Sequence, residues 1–375
     1  MTVLEGVQLG IGLLALLAGF VMFGALPTLK TNGKPILMPV PLPSLTVIIP
    51  ARNEAGRIAP LLRSLREQRY PSFEVLVVDD DSTDETATIA SGFGATVLRN
   101  DTVEAGSGKS AACWHGARHA KGKWLLFLDA DTALADADSL TKLVGSYAQK
   151  GARGILSLQP YHTVQRLYEN LSAVFNVIVI VGMNVFTLWG TRFKTAGSFG
   201  PCILCNKDDY FAVGGHRKIQ GAVLDDLALG QAFLDRDLPV HCVGGGGVIS
   251  FRMYPEGFGT LVEGWCKSFA VGSKSTHPVV MSLTILWITG GFMSAAALIS
   301  SIAAWNPAAM ALAVFLYAAY AVQTLRFARR CGNFNKGLFL IYPLLFMFFA
   351  ALHIYSLFRA RVLHSVKWKG RKIEV

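Results

Sequence analysis

Asp and Glu make up only 25 of the 375 residues, yet several stand in close groups. Asp129-Ala130-Asp131 ends an apolar run, and two carboxylates one residue apart at a strand end can share one divalent cation. Mg²⁺ or Mn²⁺ prefers such oxygen ligands and usually also holds substrate phosphates, so an ion there can neutralise a departing diphosphate. A bare Asp-x-Asp also occurs in exposed turns. The preceding strand and two acidic strand ends upstream favour the site reading. Asp225 and Asp226 form a second group, inside the otherwise apolar run Gly221–Gly230. Adjacent carboxylates there are costly unless used or paired. One of them could act as the base that deprotonates an attacking hydroxyl. The alternative is that both simply favour a helix N-terminus.

Two patterns imitate other chemistry. Gly106-Ser-Gly-Lys-Ser110 looks like a P-loop, but Walker A needs a glycine five positions before Gly108, where Val103 stands. The Asp79–Glu85 cluster lacks the glycine that an EF-hand loop needs at its sixth position. Lys109 can still meet a phosphate as a point charge on a Gly-rich turn. Gly244 to Gly247 reads as a close-packed turn, because no helix pattern follows it.

These groups need elements to hold them. Leu45–Ile49 is a short β-branched run that Pro50 is expected to end, followed by a helix over Ile58–Arg69 with Ile58, Leu61, Leu62 and Leu65 on one face. Glu74–Val78 is a second strand closed by Asp79, Asp80 and Asp81. Ser82–Glu85 resembles a cap for a helix through Ile89. Lys123–Leu128 is a third strand, leading into Asp129. Such alternation gives an α/β, mostly parallel, Rossmann-like sheet whose ligands bind at the carboxyl ends of its strands. The acidic groups fall at those ends.

Composition adds a membrane. Hydrophobic residues are 52% and charged residues 16%, with a mean hydropathy of +0.41, against about 25% charge in soluble domains. The net charge of +10 is concentrated: Arg326–Val375 holds ten Lys or Arg and one acid, Glu374. Interleaved with apolar runs, these read as membrane-surface anchors and not as a nucleic-acid face. Residues 6–29 are charge-free, with no basic n-region, which favours an uncleaved anchor over a signal peptide. Residues 275–325 are long enough for two helices broken at Trp305-Asn306-Pro307, and 337–358 form another apolar stretch. Four full spans would put the basic tail outside if the central region is inside, so the span count stays open. The stretch 170–191 is interrupted by Asn176, Asn184 and two glycines, and is expected as an interfacial or buried helix. The expected organisation is an anchor over 1–29, a catalytic domain over 44–275, membrane helices over 276–358 and a basic cytoplasmic tail over 359–375. Six cysteines make no disulfide framework, and Cys202-Ile-Leu-Cys205 has no second pair at zinc spacing.

Pro50-Ala-Arg-Asn-Glu54, Val77–Asp84, Gly108-Lys109-Ser110, Asp129-Ala-Asp131 and Asp225-Asp226 occur in the order seen in family-2 glycosyltransferases, which the chain resembles over nearly its whole length. LSLQPYH (156–162), VGMNVF (181–186), FGP (199–201), GGH (214–216), FRMYPEGF (251–258), EGW (263–265), PLLFMFF (343–349) and WKGR (368–371) are similar to the 4,4'-diaponeurosporenoate glycosyltransferase group. The resemblance implies a GT-A fold, a UDP-sugar donor with UDP-glucose expected, inversion at the anomeric carbon, and a carotenoid acid acceptor yielding a glycosyl ester. It places Ala51, Glu54 and Asp80 in the uridine pocket, Lys109 near the nucleotide or its phosphates, and Asp129 on the sugar or ribose. Asp131 would ligate Mg²⁺ or Mn²⁺, and Asp226 would stand in the base position with Asp225 supporting it. Arg252, Trp265, Trp368 and Arg371 are candidates for the acceptor side or the diphosphate. Gly264 stands where the processive branch has arginine before tryptophan, which favours a single transfer over polymer synthesis. A carboxylate acceptor, with a pKa near ~4, needs no base. A lipid hydroxyl or phosphate acceptor (hopanoid, diacylglycerol or polyprenyl phosphate) therefore stays open beside it. Multi-pass insertion in the cell membrane, with the catalytic domain facing the cytoplasm, is the expected setting.

Overall fold

A computed structural model describes residues 2–29, 38–100, 108–272, 275–362, 365–368 and 371–374, with the side chains of 270–272 and 365–374 excepted. Val103 and Gly106 of the P-loop-like run, and Lys369 and Gly370 of the WKGR tail, lie outside the described residues. The chain forms two compact units. The first comprises Pro27–His162 and Gly197–Met253; the second comprises Met1–Leu26, Thr163–Ala196 and Tyr254–Val375. The division is therefore not the linear one expected, since 163–196 and 254–275 group with the apolar helices.

The first unit is built on a seven-stranded sheet. Its strands are β1 (Leu45–Ala51), β2 (Phe73–Asp79), β3 (Thr96–Arg99), β4 (Trp124–Leu128), β6 (Ile155–Gln159), β8 (Cys202–Asn206) and β9 (Val240–Gly244), in the order β3-β2-β1-β4-β8-β6-β9. β8 alone among them runs antiparallel to its neighbours β4 and β6. Two apolar clusters cover the two faces. Val47, Ile49, Leu126 and Leu128 lie in one, and Ile48, Leu125 and Phe127 in the other, as a period of two requires. Each such side chain, fully buried, contributes on the order of 1.5–3 kcal/mol. The same period separates Cys202 from Cys205. Three residues apart on β8, they point to opposite faces, into different clusters, which removes any shared metal or redox role.

Pro50 does not end β1. Pairing with β2 continues to Ala51↔Asp79, whereas pairing with β4 stops at Ile48↔Phe127. Ala51 turns its carbonyl to the β2 side, where it accepts from the Asp80 N–H. Pro50 therefore turns its missing N–H to the side where no partner remains. The following helix, Ile58–Arg66, buries Ile58, Leu61, Leu62 and Leu65 as expected but stops before Arg69. There the Gln68 amide donates to the Ser64 and Asp136 carbonyls, and the Arg69 N–H to Ala137 O, so the chain leaves the helix. A small sheet of β5 (Thr132–Leu134), β7 (Tyr161–His162) and β10 (Ile249–Phe251) pairs Phe251 with Thr132. Gly244–Gly247 leads into that sheet as a turn, in which a Cβ on Gly245 would meet Gln159 O at 2.9 Å.

Among the described residues of the second unit, four helices are long and apolar enough to cross a membrane: Val3–Met22, Pro278–Ala303, Pro307–Cys331 and Lys336–Val362. Val3–Met22 and Pro278–Ala303 pack antiparallel, Gly12 facing Gly290 and Met22 facing Thr284. The buried Gln323 joins three helices, accepting from Trp287 Nε1 at 2.9 Å and donating to Leu16 O at 2.8 Å. Leu13, Leu17, Ile299, Phe315 and Met347 are exposed on these helices, apolar surface that water would not cover cheaply. The stretch 170–191 forms an α-helix only over Ala173–Gly182, continuing the 3-10 turn Leu167–Ser172, with Phe175, Val177, Ile180 and Val181 buried. About 20 residues are needed to span, so this segment is an internal helix of the second unit.

Candidate active site

The carboxyl ends of β1, β2 and β4 supply the site. Asp80 stands just past β2 and is buried. Its two carboxylate oxygens accept from Asn100 Nδ2 at 2.8 Å and from the Gly108 N–H at 2.9 Å, with Arg52 Nη1 at 3.8 Å. Asp80 therefore ties together three loop ends beside Ala51. Asn100 was not singled out from sequence, although an amide directly after a strand that flanks β2 was the available signal.

The loops after β1 and β2 are clipped to each other by short polar side chains. Asn53, held at a φ of 52°, accepts from the Thr83 N–H through Oδ1 and donates its own N–H to Ser82 Oγ. The Glu54 N–H donates to Thr86 Oγ1 at 2.8 Å, and the Glu54 carboxylate lies 3.7 Å from Arg57. A helix follows Ser82–Glu85 as expected, and the side chain that meets its first N–H is Asp84. The helix begins at Thr86, Glu85 gives it no side-chain bond, and Asp84 instead accepts from the Thr86 and Ala55 N–H groups. Asp84 thus serves both the helix start and the tie between the two loops.

Lys109 is the first residue of the helix Lys109–His119, entered through Gly108 at a φ of 106°. Few residues other than glycine adopt that angle. The Lys109 ammonium stands 2.8 Å from Asp129 Oδ1 and 3.3 Å from Asp226 Oδ1. The three side chains are 31%, 28% and 27% exposed, so a ligand can reach them while bulk water screens them only in part. Burial works against the ammonium, but Asp129, Asp226 and Asp225 outweigh it and hold the Lys109 pKa well above its ordinary value. Asp226 goes the other way. Burial and the neighbouring Asp225 charge, opposed by Lys109, push it up to about 7. A carboxyl group poised there can accept a proton near neutral pH.

The antiparallel β8 explains how Asp226 comes to this place. Pairing of Leu128 with Cys202 sets the segment before β8 against the acidic end of β4, and the Asp129 N–H donates to Pro201 O at 3.1 Å. The helix Asp225–Leu234 lies on that segment, with Ser198 Oγ donating to Asp226 O at 2.7 Å. Both acids fall in its first turn, where the helix dipole favours them. His216, from the GGH run, is buried nearby in sequence; its ring Nδ1 is 2.9 Å from the Tyr210 hydroxyl, and burial holds its pKa down to about 4.

Asp131 is half-buried, and its carbonyl accepts from the Arg252 N–H at 3.3 Å, which brings Arg252 beside the Asp129–Asp131 turn. Among the described residues, no group of three or more His, Cys, Asp or Glu assembles a metal centre from protein alone. The structure thus brings together Ala51, Asp80, Lys109, Asp129 and Asp226, with Glu54 on the adjoining loop and Asp131 and Arg252 at the turn. Trp265 lies in the second unit. It is buried, stacks on Phe175 with centroids 4.9 Å apart, and donates its indole N–H to Ser172 Oγ at 3.0 Å, so it packs the interior of that unit. Trp368 and Arg371 face each other in register across a terminal hairpin, Ser365–Trp368 with Arg371–Glu374.

The sequence model of glycosyl transferase family 2 matches residues 46–196. The chain is 40% identical over 334 residues to 4,4'-diaponeurosporenoate glycosyltransferase of Staphylococcus aureus strain USA300, covering 88% of each chain. The protein of that name from strain MRSA252 is 39% identical over 336 residues, with the same coverage. Among solved structures, the mannosyltransferase PcManGT of Pyrobaculum calidifontis, solved with GDP-Man and Mn²⁺, aligns with a TM-score of 0.55 at 21% identity. The alignment covers 94% of this chain and 96% of that one. At that identity the likeness speaks for the fold alone: a GT-A α/β unit accompanied by apolar helices.

Proposed function

We propose a reaction for this chain from a fixed starting point: it belongs to glycosyltransferase family 2. The reaction is transfer of a hexose from a UDP-sugar, with UDP-glucose as the expected donor, to the carboxyl group of a membrane lipid acid of the 4,4'-diaponeurosporenoate kind. The product is a glycosyl ester. The observation that carries the reading is the Lys109 ammonium held between Asp129 and Asp226 beside the carboxyl end of β4 in a mostly parallel sheet. An acceptor oxygen beside Asp226 forms its bond to the anomeric carbon as the bond to the diphosphate breaks. The nucleotide leaves with the electron pair, and the configuration inverts.

The acceptor proton goes to Asp226. A carboxylic acid in water has lost its proton at neutral pH, but one drawn out of an apolar environment keeps it more firmly. A base with a pKa pushed up to about 7 suits that task. Ala51, Glu54 and Asp80 line the nucleotide side, and Asp129 meets the sugar or ribose. Asp131, with Asp129 close by, offers carboxylate oxygens to Mg²⁺ or Mn²⁺. Because the described residues assemble no centre of three or more ligands, the donor diphosphate and water complete the shell, as is usual for these ions. When bound, the ion neutralises the leaving diphosphate.

The four apolar helices support a multi-pass protein of the cell membrane. Arg326, Arg329 and Arg330 at the end of Pro307–Cys331 support a cytoplasmic side for that end. Six buried cysteines, none in a disulfide, suit a reducing compartment. A second reading takes a lipid alcohol as acceptor, and the base-like Asp226 favours it equally.

Labelled UDP-glucose, with Mn²⁺ or Mg²⁺, tests the proposal in membranes that carry the protein and a carotenoid acid pool. Metal-dependent label in the lipid extract, lost in Asp131→Asn and released by mild alkali, is the expected result. Alkali-stable label would assign the alcohol acceptor. No transfer from any UDP-sugar would overturn both.

A further inference from the structure

Asp226 is held in place by a residue that has no side chain. A Cβ built on Gly200 would lie 1.8 Å from Asp226 Oδ2, 2.0 Å from its Cγ and 2.2 Å from Oδ1. The carboxyl group of Asp226 therefore fills the volume that the first side-chain atom of any other residue at 200 would take. Backbone strain does not require the glycine. Gly200 is absent from the positive-φ glycines, and the proline after it favours the extended conformation that alanine adopts readily. Two other glycines at the same contact differ. A Cβ on Gly197, whose φ is 152°, would strike the Leu227 backbone at 2.6 Å, and one on Gly230 would strike Ser198 N at 2.3 Å. Those two let a helix lie on a loop, whereas the contact at Gly200 is with one carboxyl group.

We propose that Gly200 is a positioning residue for the transfer reaction: its missing side chain is the seat of the Asp226 carboxyl group, and sets that group 3.3 Å from Lys109. Any side chain at 200 turns the carboxyl group out of the seat. Asp129 keeps its own contact with Lys109 at 2.8 Å, so the donor side is left as it was. The inference rests on the reading of Asp226 as the group that meets the acceptor.

The test is a cycle of full-length Gly200→Ala, Asp226→Asn and the double variant, measured as transfer at saturating donor. Displacing a reacting group by about 1 Å costs about 100-fold. Gly200→Ala should lose about that factor in kcat, with donor KM within about two-fold. Its acid limb should move to lower pH, toward the range of an exposed carboxylate. In the Asp226→Asn background the same change should cost nothing further. Independent, multiplying losses, or wild-type kcat in Gly200→Ala, would overturn the proposal.

Melting provides a readout if the single variant folds poorly. Gly200→Ala should lower Tm beside Asp226 but leave it unchanged beside Asp226→Ala, where nothing remains to clash. An equal loss in both backgrounds would make Gly200 structural and overturn the proposal. Full transfer by Asp226→Asn would instead sink the reading of Asp226 itself, so the two failures are distinct.

Discussion

Replacing Lys109 by methionine removes the charge between Asp129 and Asp226 while keeping most of the volume. The Lys109–Asp226 contact of 3.3 Å is a charge-assisted one between side chains about 30% exposed, and such bonds contribute about 1.5–3 kcal/mol. Lys109 opposes the burial and the Asp225 charge that raise the Asp226 pKa. Without it, ionising Asp226 becomes harder by that amount. At 1.36 kcal/mol per unit, the acid limb should move upward by about 1–2 pH units. In the native protein that limb should lie about 7, because activity needs Asp226 ionised and falls as pH drops through its pKa. The Met variant should therefore show a limb about 8–9, and Lys109→Arg should return most of the way. The assay is transfer at saturating donor from pH 5.5 to 9.5, with each variant's donor KM measured in parallel. An unmoved limb, or one displaced to lower pH, would refute the electrostatic account of this site.

Asp226→Asn should stabilise the fold at pH 8. A carboxyl group whose folded pKa is raised binds its proton where the unfolded chain has released it, so its contribution is present below the unfolded value near 4 and is lost as pH rises through about 7. The variant's gain in Tm should accordingly vanish at low pH in a melting series. Cys202 and Cys205 should both stay unreactive to a thiol reagent in the native protein and react after denaturation. Burial pushes each thiol pKa up, and their opposite faces forbid a bridge. Gln323→Leu should lower the Tm in detergent, through the loss of two interhelical bonds of roughly 0.6–1.7 kcal/mol each.

The strand ends were legible because burial and chemistry write different letters. An apolar run stops where acids begin, at Asp79–Asp81 and again at Asp129, and the parallel pairing of β1 with β2 and β4 places those stops at the same end of the sheet. Pairings between distant segments were not legible. Gly200 and Asp226 meet only because β8 runs antiparallel and lays its preceding segment against β4, and no local pattern announces a strand's direction. The contact of Lys109 with two acids was hidden likewise, since it depends on where the helix after Gly108 begins. Pro50 misled because its effect depends on which side of the strand still has a partner. The 170–191 stretch read as one long helix because composition shows hydrophobicity but not the turn at Gly182–Asn184 that ends it.

The most direct measurement is single-turnover transfer by Asp226→Asn beside the native protein, with UDP binding measured on the same samples. The account predicts that the variant binds UDP as the native protein does, yet transfers sugar at least about 100-fold more slowly, in line with the loss of a positioned base. Transfer at the native rate, with UDP binding intact, would contradict it and place the acceptor elsewhere.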